Sequence, residues 1–335
     1  MKKREYLYKC ALSLLSVIIF LFLCELTIRL FYPVIKNYDM ERWRYSLLGN
    51  VSIEKPRHFH THKPNSYFKE LYGVEVKINS KGLRDFEYSY SKPANVYRIL
   101  VLGDSITLGW GVPFESTYAK YLEKMLNARG KNIEFQVINT GVGNYNTQIE
   151  AEFLKKEGLK YDPDMIILGY FVNDAEIVRP RRYFLNEHSY LYVYIWSKIN
   201  ALRADYFNQN YVNYYRAFYK DGSKSKAQFE ASVEELRQAA AKNGIPLLVM
   251  LLPDLHDLKK YPFKDIHIYV EKLFEGVPVI DMLPYFDTDK ASVSYWVSKE
   301  DSHYNKDAHR IIAENLYPQI IKLMNARREN ELIVK

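Results

Sequence analysis

The sequence predicts an α/β protein: a three-layer α/β/α domain with about five parallel strands, preceded by one transmembrane helix. Three observations carry this. From residue 98 onward, short apolar segments alternate with segments of helical spacing, the pattern of strands covered by helices on both faces. A long apolar run follows a basic start at the N-terminus. The composition of the 335 residues, 48% hydrophobic and 26% charged, is that of a globular chain and excludes disorder, collagen and coiled coil as overall descriptions.

The chain opens Met1-Lys2-Lys3-Arg4, with Lys9 close behind, and then runs apolar from Cys10 to Cys24. That run of 15 residues is short for a spanning helix, which needs about 20. Glu25 interrupts it, and 26–35 continue it around Arg29. Glu25 and Arg29 stand four apart, so they can pair on one helix face, and long side chains near an interface can reach toward water. No small residue follows as a signal cleavage site, and Leu23 occupies the position before Cys24 where a lipoprotein signal needs a small one. The expectation is an uncleaved anchor over 10–33, with a basic tail, 1–9, held in the cytoplasm and the rest of the chain outside the cytoplasmic membrane. A buried core helix is the competing reading.

Cys10 and Cys24 are the only cysteines, so the remainder of the chain has no intrachain disulfide, no thiol nucleophile and no Cys-rich zinc site. Lys plus Arg is 47 against 40 for Asp plus Glu. The net charge of +7 is spread along the chain, which reads as a solvated surface and not as a nucleic-acid patch.

Residues 34–95 read as a linker and lead-in. His58-Phe59-His60-Thr61-His62 carries three alternating imidazoles, a candidate metal site whose ordinary reading is an exposed strand without metal. Residues 74–78 alternate like a strand, and Asn79-Ser80-Lys81-Gly82 signals a turn. The main domain is expected over 96–325. Strands are expected at 98–102, 135–138, 165–170, 247–252 and 277–280, and helices at 118–126, 148–159, 229–241 and 307–324. Asn243-Gly244 is a helix C-cap signal, and 326–335 form a tail. Residues 175–224 break the rhythm as an insertion. Between Tyr183 and Tyr219 lie 13 aromatic residues, which suit packing of a cap onto the core, a carbohydrate-stacking surface or membrane-interface contact.

Ligands of open α/β sheets bind at the carboxyl ends of the strands. There the sequence places Gly103-Asp104-Ser105-Ile106-Thr107 after the first strand and Asn139-Thr140-Gly141-Val142-Gly143-Asn144 after the second. Phe171-Val172-Asn173-Asp174 follows the third, and Glu300-Asp301-Ser302-His303 precedes the last helix. An exposed serine at a strand-to-helix turn has backbone N–H groups nearby that can hold an oxyanion. Singly these signals are weak; four in this order are specific.

With these pieces, and most strongly with 99–112 (ILVLGDSITLGWGV), the sequence resembles the SGNH (GDSL) hydrolase family over about 95–325. Asn79-Ser80-Lys81-Gly82-Leu83-Arg84 also resembles the lead-in of membrane-anchored relatives. The resemblance implies a flavodoxin-like sheet, Ser105 as nucleophile, His303 as general base, and an oxyanion hole built from Ser105, a residue of the 141–144 turn and Asn173. At that turn the sequence departs from the family: Asn144 stands where glycine is common, with Gly143 just before it, and Gly143 is favoured as the donor. The acid departs too. The family's usual position, three before the histidine, holds Glu300, whereas Asp301 matches the Asp-x-His spacing of related polysaccharide acetyl-transfer proteins and is favoured. Asp254-Leu255-His256 repeats that spacing at the fourth strand end as a rival dyad.

The expected chemistry is a Ser105–His303–Asp301 relay forming an acyl-enzyme, with no cofactor and no metal; neither a P-loop nor a Gly-x-Gly-x-x-Gly phosphate loop is present. The expected function is an anchored serine esterase removing O-acyl groups, acetyl foremost, from an acylated small molecule or an envelope or exported polysaccharide. The alternatives are an O-acetyltransferase with the same triad, a lipase or thioesterase and, in another class, a non-catalytic carbohydrate-binding or assembly protein.

Overall fold

A computed structural model of the chain describes residues 2–47, 51–54, 59–129, 133–178, 188–208 and 211–333. In chain order the elements are α1 (Lys2–Ile35), α2 (Tyr38–Leu47), β1 (Val51–Glu54), β2 (Phe59–Thr61), β3 (Tyr67–Leu71), β4 (Val74–Lys77), β5 (Val96–Gly103), α3 (Ser105–Leu108), α4 (Tyr118–Arg129), β6 (Glu134–Asn139) and α5 (Thr147–Lys156). There follow β7 (Met165–Tyr170), α6 (Tyr190–Asn208), α7 (Tyr211–Phe218), α8 (Lys224–Lys242), β8 (Leu247–Leu251), α9 (Lys264–Leu273), β9 (Val279–Asp281), β10 (Trp296–Ser298), β11 (Asp301–Tyr304) and α10 (Lys306–Ile333). Contacts divide the chain into two compact units, Met1–Leu47 with Arg181–Gln209, and Leu48–Pro180 with Asn210–Lys335.

The first unit consists of α1, α2 and α6. Helix α1 is long and apolar enough to cross a membrane: 33 residues, Lys3–Ile35, with a most apolar window of hydropathy 2.5 and none of that window buried by protein. The pair read from sequence is present, with Arg29 Nε donating to Glu25 Oε1 at 2.7 Å. Glu25 does more than pair. Its carboxylate accepts from the backbone N–H groups of Tyr190 (3.0 Å) and Leu191 (2.8 Å) and from the Ser189 hydroxyl (2.9 Å), capping the first turn of α6. Arg29 donates to the His188 carbonyl at 2.8 Å and lies over the Tyr190 ring. Tyr32, Met40, Trp43 and Val193 close a small buried core between the three helices. The aromatic-rich stretch thus falls in both units, α6 in the first and α7 in the second.

The second unit is built on a five-stranded parallel sheet of order β6-β5-β7-β8-β9. Its central strands β7 and β8 are fully covered, so their sequences are apolar throughout, while the edge strand β6 exposes Glu134. On β5, Leu100 and Leu102 join one core with α5 and α8, while Ile99 and Val101 join the other with α4 and α10. The order places the two neighbours of β5 on opposite sides, so the chain reverses its winding there and a crevice opens at the carboxyl ends of β5 and β7.

Each strand expected from sequence is present, with β9 starting at 279 where 277 was expected. The helix expected over 148–159 ends at Lys156 and continues as a tighter turn over Gly158–Tyr161. Helix α9 was missed, although Ile266, Val270 and Phe274 recur at four-residue spacing and are buried. Its N-cap is Phe263, which supplies no side-chain cap. Two small hairpins, β1–β2 and β3–β4, occupy the lead-in, and a third, β10–β11, precedes α10.

Candidate active site

Strand β5 ends at Gly103 and the chain turns at once into α3, a single helical turn. Asp104 caps it, its carboxylate accepting from Ile106 N–H at 2.9 Å. Gly109 closes it in the left-handed conformation, φ +79°. The carbonyls released at that end are taken by the buried Arg84, whose guanidinium donates to Gly109 O (2.6 Å), Leu108 O (3.2 Å) and Val112 O (2.8 Å). The lead-in motif therefore supplies the clamp that holds the serine's helical turn.

Ser105, first residue of α3, places its Oγ 2.9 Å from His303 Nε2. His303 lies on β11, and its Nδ1 donates to Asp301 Oδ1 at 2.6 Å. Alternation along the strand puts residues 301 and 303 on one face, which is why the Asp-x-His spacing closes this contact. Glu300 is turned away, accepting from the Ser298 hydroxyl at 3.2 Å. Burial pushes the Asp301 carboxyl up, but the His303 ring, the His303 backbone N–H (3.1 Å) and the Trp110 indole N–H (2.8 Å) together hold it below the ordinary aspartate value. It is an ionised acceptor against the imidazole.

Trp110 also stacks on the His303 ring, centroids 5.1 Å apart at 20°. Tyr72 also stacks on that indole, at 3.4 Å and 29°. Tyr72 and Gly73 form the two-residue turn of the β3–β4 hairpin, both at positive φ (+57° and +77°). A tyrosine in that conformation is strained, and the stack on Trp110 helps to hold it. Sequence reasoning gave no role to Tyr72 or Trp110. The available signal was a Tyr-Gly pair at a tight hairpin turn, where Asn-Gly is the easy choice.

On the other side of Ser105, the loop after β6 presses against α3. A Cβ on Gly141 would lie 2.2 Å from Leu108 N, so only glycine fits. Asn139 bridges the two, donating to Thr107 O (2.6 Å) and accepting from Gly141 N–H (2.9 Å). Asn144 sits at φ +66°. Asn173, at the end of β7, donates one of its two amide N–H groups to Asp104 Oδ2 at 3.2 Å. Burial raises the Asp104 carboxyl. Behind this loop lie Glu150 and Asp174, fully buried. Burial first, then their acidic neighbours, pushes both well above the ordinary carboxyl range.

The rival dyad is a separate pair. Asp254 Oδ1 meets His256 Nδ1 at 2.9 Å, and the ring packs beside Tyr211 and Trp296; the imidazole bonded to Ser105 is that of His303. Of the three alternating histidines, His58 lies outside the described residues. His60 and His62 are buried, each with a ring nitrogen on a backbone carbonyl, that of Gly143 (3.1 Å) and of Gly82 (3.0 Å).

A doubly wound sheet with a hydroxyl, an imidazole and a carboxylate linked at its carboxyl edge has the parts of a serine hydrolase. The chain belongs to the GDSL-like Lipase/Acylhydrolase family, whose model matches residues 101–311. It is accordingly an ester hydrolase. No curated protein matches the chain. Among solved structures, it resembles a two-domain esterase active on acetylated mannans at 17% identity and a TM-score of 0.45. The match covers 68% of this chain and 49% of that one, so the chain spans about half the length of that esterase. A catalytic mutant of an acetylxylan esterase from Geobacillus stearothermophilus matches at 14% identity, TM-score 0.45, over 67% of this chain and 94% of that one. A psychrotrophic esterase from Pseudoalteromonas matches at 16% identity, TM-score 0.41, over 68% and 98%.

Proposed function

We propose that the protein is a membrane-anchored serine esterase that removes O-acyl groups, acetyl foremost, from polysaccharide at or beyond the outer face of the cytoplasmic membrane. The observation that carries the proposal is the unbroken relay from Ser105 Oγ through His303 to Asp301. His303 Nε2 takes the Ser105 proton as Oγ attacks the acyl carbon, and Asp301 stabilises the imidazolium that forms. The tetrahedral oxyanion is met by the N–H of Ser105, the N–H of Asn144 and the free N–H of the Asn173 amide. Asn144 takes the place of Gly143 in this reading. His303 then returns the proton to the leaving sugar hydroxyl, and water attacks the acyl-enzyme by the reverse route. The carrier is inferred from α1: a site tethered at a membrane surface meets the acylated polymers found there.

The test is hydrolysis of p-nitrophenyl acetate by the full chain purified in detergent, beside Ser105→Ala. The expected outcome is turnover in the first and its loss, by at least about a thousandfold, in the second. Comparable turnover in both would remove Ser105 from the mechanism. A folded wild-type chain without turnover would overturn the esterase reading.

A further inference from the structure

We infer that His60, on strand β2 of the lead-in, is a positioning residue for the oxyanion hole: its Nε2–H grips the carbonyl of Gly143 and so aims the N–H of Asn144. The inference rests on the serine-esterase reading above. A carbonyl oxygen only accepts, so the 3.1 Å contact between His60 Nε2 and Gly143 O requires the proton on Nε2. The Gly143–Asn144 peptide is planar and trans, and in such a unit the C=O and the following N–H point in opposite directions. Fixing the Gly143 carbonyl on the His60 side therefore fixes the Asn144 N–H on the other.

The Asn144 N–H stands apart from four of its neighbours in the loop. Those of Thr140, Gly141, Val142 and Tyr145 are committed to Val101 O, Asn139 Oδ1, Gly103 O and Val142 O. Asn144 N–H has no acceptor among the described residues, and Asn144 is exposed. A residue at φ +66° can rotate its peptide toward more common conformations unless the neighbouring carbonyl is held. The holder is itself fixed. His60 is 8% exposed, its ring meets Tyr145 edge-on at 5.0 Å, and its own carbonyl accepts the Tyr145 hydroxyl. Asn146 pins the far end of the loop by capping α5. His60 touches no reacting atom in this scheme and acts only through the peptide it orients.

Two variants of equal length separate donation from packing: His60→Gln, whose amide N–H can reach the same carbonyl, and His60→Met, which has no donor. Both are measured as full chains on p-nitrophenyl acetate, with circular dichroism to establish folding and an aryl boronic acid as a mimic of the tetrahedral adduct. The expected result is a kcat in the methionine variant lower by about a hundredfold with KM within about twofold, a boronate affinity reduced in parallel, and recovery to within about fivefold of wild type with glutamine. Equal activity of the two variants overturns the inference, whether both are active or both inactive, and so does failure of both to fold, which would make His60 a folding residue. A Ser105→Ala chain that retains activity would instead sink the functional reading on which the inference rests. Full activity of His60→Met beside an inactive Ser105→Ala sinks the inference alone.

Discussion

A single residue, Tyr72, joins the lead-in hairpin to the candidate active site. Its backbone is at φ +57°, which for a bulky side chain stores about 1–3 kcal/mol, and its ring stacks on Trp110, which in turn stacks on His303. Replacement by asparagine, which tolerates the left-handed conformation, relieves the strain and forfeits a ring contact of similar size, about 0.5–1.5 kcal/mol. The two terms nearly cancel in stability but not in function, because the second also steadies the indole that donates to Asp301. Tyr72→Asn is therefore expected to leave Tm within about 3 °C of wild type while lowering kcat by about three- to tenfold. Calorimetry and steady-state kinetics on one preparation decide it, and a large fall in Tm with unchanged kcat would mean the stack is structural only. At this scale the sequence was partly legible. Ser105, Asp301 and His303 could be named because three chemical types at motif spacing are specific. Tyr72 and His60 could not, since both act from segments that adjoin the site only after folding.

Helix α5 carries a problem of its own. Glu150 lies in its first turn, fully buried, with both carboxylate oxygens lacking a hydrogen-bond partner, and Asp174 and Asp104 nearby. A charge there would be unpaired in a low-dielectric interior, so the carboxyl holds its proton. In the unfolded chain the same group ionises near the ordinary value of 4.5. The folded protein thus binds a proton that the unfolded chain has lost, and stability contributed at low pH declines as pH rises above about 4.5 toward the raised native value. Glutamine removes that proton linkage at nearly constant shape. Glu150→Gln is expected to melt higher than wild type at pH 8, by a margin that shrinks toward pH 5; a margin independent of pH would mean that Glu150 is ionised in the folded protein. Element boundaries were more readable than element chemistry. Covered strands such as β7 and β8 show as unbroken apolar runs, and α8 is framed by Ser223 and Asn243-Gly244. Helix α9 lacks such a frame, and hairpin β10–β11, with strands of three and four residues, is too short for its alternation to stand out from chance.

For the molecule as a whole, both thiols lie on α1, Cys10 exposed to the surroundings and Cys24 partly so. If the surroundings are hydrocarbon, a thiol label that cannot cross a bilayer fails to reach them. In intact membranes a charged maleimide is expected to leave the full chain unmodified at Cys24, whereas detergent should open both positions to labelling. Complete labelling before detergent is added would contradict the anchor. The apolar run was visible in the sequence, but its use as one wall of a three-helix unit was not, because the partner helix α6 arrives more than 150 residues later.

That separation sets an order of events during synthesis. Glu25 and the Tyr190 N–H it accepts are 165 residues apart. At ribosomal speeds of about 5–20 residues per second, α1 waits roughly 10–30 s with its carboxylate bonded to Arg29 alone, while the first three strands of the hydrolase sheet are made. A nascent chain halted before residue 189 would hold α1 with Glu25 bonded only to Arg29 of the same helix, its other acceptor sites unfilled. Completion of α6 would thus serve as a checkpoint, met only by chains that have already made β5, β6 and β7.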